Sequence, residues 1–305
     1  MERFAGLAAV VTACTIWGLS PLFYRALAGV PALEVLAHRT LWSFVFFAIV
    51  ILLTGRGARV RAALGSRREM GLLLVAAAMV STNWFLFIFA VQSGQTIESS
   101  LGYYIFPLLA GAIGWAVLRE GMGRLQGLGF ALAAAAVTFI AVWHGVLPWM
   151  ALALAGTFAA YGLAKRGVSS GPVTSVFAEM IWILPLALLW IAGAQLAGWG
   201  GPGAGAFGGP DTWLLVLSGP LTGVPFMLFS HAAKSLRYST VGVAFYVNPT
   251  LQFLVAVLAF GEAFTPAEGV AFPLIWAGVA LYSIGLVRQE RRAASTSSGE
   301  AQTVR

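Results

Sequence analysis

Apolar residues run in blocks of about twenty, the length that crosses a hydrocarbon core of about 30 Å as a helix. The blocks fall near 5–28, 33–54, 70–91, 97–118, 125–143, 146–164, 173–195, 213–232, 239–260 and 268–287. Inside a bilayer only helices and closed barrels satisfy their backbone groups, and barrel strands alternate apolar with polar residues. These blocks do not alternate, so the pattern predicts an all-α integral membrane protein with ten transmembrane helices. The breaks carry turn chemistry: Gly29-Val30-Pro31, Gly55-Arg56-Gly57, Gly121-Met122-Gly123 and Gly171-Pro172. The Gly/Pro-rich stretch 198–210 has the composition of a flexible loop, and the polar segment 291–305 that of a disordered tail.

Composition adds exclusions. Of 305 residues 59% are hydrophobic and only 10% charged, and the mean hydropathy is +0.86, which leaves too little polar surface for a soluble domain. The net charge of +7 does not signal nucleic acid, because the basic residues sit in short breaks between apolar blocks and form no basic face. The partners this predicts are the lipid bilayer and a small molecule; a homodimer is compatible with the sequence. The single cysteine, Cys14, lies inside the first block, so no disulfide framework or thiolate metal cluster is expected. The first block carries no cleavage site and reads as a retained span.

The cations orient the chain. With the N-terminus in the cytoplasm, the inside breaks hold Arg56, Arg59, Arg61, Arg67, Arg68, Arg119, Arg124, Lys165, Arg166, Lys234 and Arg237. The tails add Arg3, Arg288, Arg291, Arg292 and Arg305, and the outside breaks hold no Lys or Arg. This asymmetry predicts both termini inside.

The two halves repeat. A shift of 142 residues aligns 86–137 with 228–279 without a gap, and 13 of the 52 positions are identical. Among them are Tyr104/Tyr246, Pro107/Pro249, Glu120/Glu262 and Gly127/Gly269. Five spans per half is odd, so the second half enters the membrane upside down. The charges agree: the arginine-rich break 56–68 corresponds to the cation-free 196–212. The expected organisation is two inverted five-helix repeats, 1–145 and 146–290, followed by the tail. Inverted repeats recur in alternating-access transporters, although duplication also produces them in some channels.

Several motifs resemble one family. They include Ile16-Trp17-Gly18, Ala37-His38-Arg39-Thr40-Leu41-Trp42-Ser43, Asn83-Trp84, Ser99-Ser100-Leu101-Gly102-Tyr103-Tyr104-Ile105-Phe106-Pro107-Leu108 and Leu118-Arg119-Glu120. The second half adds Leu236-Arg237-Tyr238-Ser239-Thr240-Val241-Gly242, Tyr246-Val247-Asn248-Pro249-Thr250-Leu251 and Gly261-Glu262. Together, from about residue 5 to 290, they resemble the RarD-type (chloramphenicol-sensitivity) branch of the EamA family, in the drug/metabolite transporter superfamily. The resemblance implies a duplicated five-helix unit, cytoplasmic ends, the bacterial inner membrane, and a permease or efflux role with no substrate specified. One departure is visible: Asn248-Pro249 is matched in the first half by Phe106-Pro107.

Charge inside a span costs about 2.5–3.5 kcal/mol on insertion scales and calls for a partner or a wet cavity. Arg25, Glu34, His38, Arg39 and Glu179 are so placed. Glu34 and His38 share a helix face, and Arg39 is turned from it by about 100°. Glu179 aligns with His38 across the repeat under a shift of 141. Two readings stand side by side. In one, His38, Arg39 and Glu179 line a central cavity where a carboxylate can carry a proton. In the other, Arg39 and Glu179 form an ion pair that only fixes packing. Arg25 can snorkel outward, Glu34 is near enough to the interface to be solvated, and Glu98 reads as a cap compensating the dipole of its own helix. Glu120 and Glu262, at helix ends, read as loop anchors.

Pro107 and Pro249 are expected to kink their helices, with Tyr103, Tyr104, Tyr246, Asn248 and Gln252 around them. Trp17, Asn83 and Trp84 can add walls, while helix–helix hydrogen bonding is the plainer role for Asn83, Asn248 and Gln252. Gly123-x-x-x-Gly127 and Gly219-x-x-x-Gly223 can let helices approach closely. There is no Walker A, His-Glu-x-x-His or Cys-x-x-Cys motif, and Gly167-Val168-Ser169-Ser170-Gly171 lies in a short turn rather than between a strand and a helix. The expected function is a secondary transporter of a small organic solute, without catalytic residues, cofactor or metal. A channel or facilitator and an intramembrane enzyme acting on lipid are the alternatives.

Overall fold

The computed structural model of the chain describes residues 2–119, 121–236 and 238–303; the side chains of 2–3, 117–118, 233–234, 238–239 and 290–303 lie outside that description. Glu120 and Arg237, which the repeat and the charge pattern single out, are therefore outside the described residues, as is the side chain of Lys234. Every element among the described residues is helical: α1 Glu2–Ala26, α2 Ala32–Leu53, α3 Gly57–Gly65, α4 Arg67–Gln92, α5 Thr96–Leu118 and α6 Arg124–His144 come first. They are followed by α7 Trp149–Arg166, α8 Pro172–Ala197, α9 Thr212–Ser235, α10 Tyr238–Phe245, α11 Val247–Leu254, a π turn Val255–Ala259 and α12 Pro266–Thr303.

Local chemistry explains the boundaries. Ser66 caps α4 by accepting from the Glu69 amide, and Pro172 opens α8 behind Gly171, where a missing amide proton costs nothing. Gly198 ends α8 in the left-handed region at φ 68°, which glycine adopts without strain. The basic break 56–68 contains a short helix, α3, whose Val60 and Ala63 are buried while its arginines face out. The last helix continues to Thr303, through the stretch expected to be disordered, because a helix begun in the bilayer propagates at little cost.

Among the described residues, eight helical segments are long and apolar enough to cross a membrane; α5 and α7 are not among them. Helix α7 is 18 residues long and ends in Lys165 and Arg166. Leu101, Tyr103, Tyr104, Ile105 and Leu108 of α5 and Met150, Ala151, Leu154, Ala155 and Ala159 of α7 are buried against neighbouring helices, so these helices tolerate Gly, Ser and Thr where a lipid-facing helix would not. The surface is correspondingly inverted relative to a soluble protein. Leu52, Leu53, Leu186, Leu189, Leu196 and Leu258 are exposed, whereas Glu34, His38, Arg39, Asn83, Glu179, Asn248 and Gln252 are buried. The described residues thus form a multi-pass helical membrane protein.

Packing follows a paired pattern. Helix α1 packs on α9 and α11, and α7 on α4 and α5; α2 packs on α8 and α9, and α8 also touches α4; α6 lies along α12. Small residues permit the last contact, since a Cβ on Gly278 would come 2.7 Å from the Gly129 carbonyl oxygen. Acids close several helix starts from neighbouring elements. Glu262 accepts the Thr96 and Ile97 amides at 2.9 and 2.8 Å, and Glu98 accepts the Met150 amide at 3.2 Å. Glu98 lies in the first turn of α5, as expected of a dipole-compensating acid, and its carboxylate also reaches the start of α7, while Glu262 caps α5.

Candidate functional site

Arg39 is the focus. It lies in the third turn of α2, 5% exposed, and donates from Nε to Thr222 Oγ1 of α9 at 2.9 Å. Its guanidinium lies over the Trp84 ring of α4, 4.1 Å from the centroid, and 5.6 Å from that of Tyr24 on α1. The close approach of α2 and α9 depends on glycine. A Cβ on Gly219 would run into the Trp42 backbone, and one on Gly223 into the Phe46 ring. The Gly219-x-x-x-Gly223 expectation is met, and the same small face sets Thr222 beside Arg39. Gly127, in the other such motif, meets only the Met122 sulfur at 3.9 Å.

Beside Trp84, Asn83 accepts from the Tyr103 hydroxyl at 3.0 Å and donates to the Leu154 carbonyl at 2.9 Å and Thr157 Oγ1 at 3.1 Å. It ties α4, α5 and α7 together, the plainer of the two roles considered. An aromatic wall continues from Trp84 through Phe226 to Trp17, with centroids 6.4 and 5.4 Å apart. Trp17 and Phe226 are only partly buried.

Glu179 is elsewhere. Its carboxylate is 2.5 Å from Lys165 Nζ and also takes a hydrogen bond from Tyr161, while Lys165 donates in addition to Ser175 Oγ. Neither an Arg39–Glu179 pair nor a cluster of His38, Arg39 and Glu179 is formed. The lysine assigned to the inner break reaches back from the last turn of α7 and satisfies the acid first.

His38 belongs to a third group. It is buried, stacks on Phe207 at 5.2 Å and 20°, lies 4.0 Å from Glu34, and neither ring nitrogen has a hydrogen-bond partner among the described residues. Glu34 is fully buried and accepts the Gly205 and Ala206 amides at 3.0 and 2.9 Å. Two expectations are corrected here. Glu34 is not solvated, and the segment 198–210 is docked on the bundle, because the carboxylate takes two of its amides and Phe207 seats on His38. Arg25, by contrast, is exposed and donates to the Val91 carbonyl at 3.3 Å, near the C-terminal end of α4, as a snorkelling cation would.

The proline-centred set divides. Helix α5 runs unbroken through Pro107, whereas the equivalent helix in the second half breaks at Tyr246 between α10 and α11. Pro249 then sits in the first turn of α11, where it needs no backbone partner. Tyr104 and Tyr246 stack and line a groove of about 760 Å³ with Thr250, Trp276 and Arg288. Tyr103 faces Asn83 instead, and Gln252 donates to Asn248 Oδ1 at 2.9 Å within α11.

Sequence reasoning missed Lys165, Tyr161, Thr222, Tyr24 and Phe207. Signals existed for four of them. Tyr161 and Lys165 are one turn apart on one face, and Thr222 falls within the glycine motif; Phe207, a large aromatic among glycines, marks docking.

Comparison with known proteins completes the description. The sequence pattern of the EamA-like transporter family matches residues 4–142. An uncharacterized transporter of Vibrio cholerae is 37% identical over 286 residues, covering 92% of each chain. Protein RarD of Streptomyces exfoliatus is 36% identical over 306 residues, covering 99% of this chain and 96% of its own. A solved crystal structure at 19% identity superposes with a TM-score of 0.62 over 92% of this chain and 98% of that one, and shares the fold.

Proposed function

The chain belongs to the EamA-like transporter family, in its RarD-type branch, and from that premise we propose a secondary transporter that moves a small organic solute or drug-like molecule across the bacterial inner membrane by alternating access. The family and the apolar helices make the chain a multi-pass membrane transporter. The proposed architecture is ten spans in two inverted halves with both ends cytoplasmic. In support, the packing of α1 on α9 and α11 is mirrored by that of α7 on α4 and α5, as a two-fold axis in the membrane plane requires.

The observation that carries the reading is the position of Arg39. An intramembrane cation from the first half is held by Thr222 from the second, beside partly buried aromatics, at the boundary where two rocking halves would expose a site to either side. The docked segment 198–210 closes the outer side in this arrangement, and the Lys165–Glu179 pair lies toward the inner ends of α7 and α8. Coupling to protons is assigned to Glu179, whose protonation would release Lys165, with His38 at the outer latch.

The test is solute counterflow in proteoliposomes. A carrier shows saturable uptake that is accelerated by solute loaded inside. Flux that neither saturates nor responds to internal solute indicates a channel, and altered lipid extracts indicate an enzyme. A Glu179→Gln protein whose pH profile of transport matches the parent removes the coupling assignment.

A further inference from the structure

We infer that the transported solute is an organic anion whose carboxylate pairs with the outer edge of Arg39 while its apolar body lies against Trp84, Phe226 and Trp17. The inference rests on the reading that this boundary is the solute site. It begins with an imbalance. Intramembrane charges pair with one another, with backbone carbonyls or with a wet cavity. Glu179 is neutralised by Lys165, and Glu34 is occupied by two backbone amides. Arg39 has no carboxylate within ion-pair distance among the described residues; the ion pairs found there are Lys165–Glu179 and two involving histidine. The rings beside it, Trp84 and Tyr24, carry no charge at neutral pH. A guanidinium keeps its proton in proteins, so among the described residues this cation has no anionic partner.

Geometry then states what can compensate it. The planar face of the guanidinium is taken by Trp84 and the Nε proton by Thr222. That leaves the edge formed by Nη1 and Nη2, the edge that grips a carboxylate with two parallel hydrogen bonds. A tryptophan behind the guanidinium and a threonine beside it fix the fork before the ligand arrives, which lowers the ordering cost of binding. The adjoining wall is aromatic and only partly buried, which suits an organic body better than an inorganic ion. The distal glycine contacts of α9 on α2 make the pocket sensitive to the approach of the two halves, so the anion is bound where closure occurs.

The experiment uses the full chain in nanodiscs of zwitterionic lipid, which excludes anionic headgroups as the ligand. Benzoate, phenylacetate, cinnamate and indole-3-acetate are each compared with their primary amides by thermal shift and calorimetry. The expected result is saturable binding of at least one carboxylate, about tenfold to a hundredfold tighter than its amide, the range of one charged hydrogen-bonding group. Arg39→Gln abolishes that preference, Arg39→Lys weakens it without abolishing it, and Thr222→Val, which leaves the charge in place, weakens both ligands of a pair less than Arg39→Gln does. The inference is overturned if acid and amide bind equally, if no carboxylate binds, if Arg39→Gln retains the preference, or if chloride and phosphate alone bind as tightly. Saturable counterflow of neutral or cationic solutes alone would reject the anion and keep the transporter; absence of carrier-type flux with every solute would reject the transporter itself.

Discussion

Tyr104 and Tyr246, 142 positions apart and equivalent in the repeat, stack with ring centroids 6.2 Å apart and planes inclined by 17°. Such a meeting of matched positions is what the proposed two-fold relation between the halves requires. Their surroundings differ, however. The Tyr104 hydroxyl hydrogen-bonds Thr250 at 2.7 Å, while the Tyr246 hydroxyl has no partner among the described residues. Tyr104→Phe is therefore expected to lower stability by about 1 kcal/mol, the net worth of a hydrogen bond, and Tyr246→Phe by less. Thermal unfolding of the two purified variants in one detergent checks the order.

The pair Lys165–Glu179 makes a second, sharper prediction. Glu179 is 1% exposed, so removing only the lysine strands a carboxylate in the bundle, at a cost of about 3–5 kcal/mol. Lys165→Met should destabilise strongly, and adding Glu179→Leu should recover most of the loss. A double-mutant cycle in chemical unfolding measures it; additive losses would mean that the two side chains do not depend on each other.

Glu34 should act as the latch of the segment 198–210. Glu34→Ala removes the acceptor for the Gly205 and Ala206 amides. Amide hydrogen exchange at those two residues is expected to rise at least tenfold, with the core of α5 unaffected, as read by mass spectrometry.

Contact between α2 and α9 depends on Gly219 more than on its composition. Gly219→Ala must push the Trp42 backbone aside and should cost about 1–3 kcal/mol. Gly156→Ala, with nothing within 4 Å of the added carbon, should be neutral or stabilising. Comparing the two by thermal unfolding separates overpacking from a general intolerance of larger residues.

Much of this architecture was legible because lipid constrains sequence so tightly. The helix expected at 33–54 is α2, Ala32–Leu53, and that expected at 173–195 is α8, Pro172–Ala197. That Arg39 needs buried partners was legible for the same reason, since a charge in a span is costly wherever it is. Its partners were not, because Thr222 is 183 residues away and neighbourhood depends on which helices pack. The partner of Lys165 was not legible because a cation at a helix end can turn outward to water or inward to an acid, and the position alone does not say which. The segment 198–210 was misread because glycine content describes the freedom of an unattached chain, while Glu34 and Phe207 attach this one. The two prolines show context from the other side: Pro107 lies within a continuous helix packed on α7, and Pro249 follows a break.

The reading of function depends on two halves that enter the bilayer in opposite senses, and side-specific cysteine labelling tests this most directly. In a Cys14→Ser background, Arg59→Cys and Pro202→Cys place single thiols in the corresponding connections of the two halves, at exposed positions. In intact cells an impermeant maleimide should modify the thiol at 202 and leave that at 59 untouched until the membrane is opened. Modification of both from the same side would contradict the inverted arrangement, and with it the placing of Arg39 between two alternately opening halves.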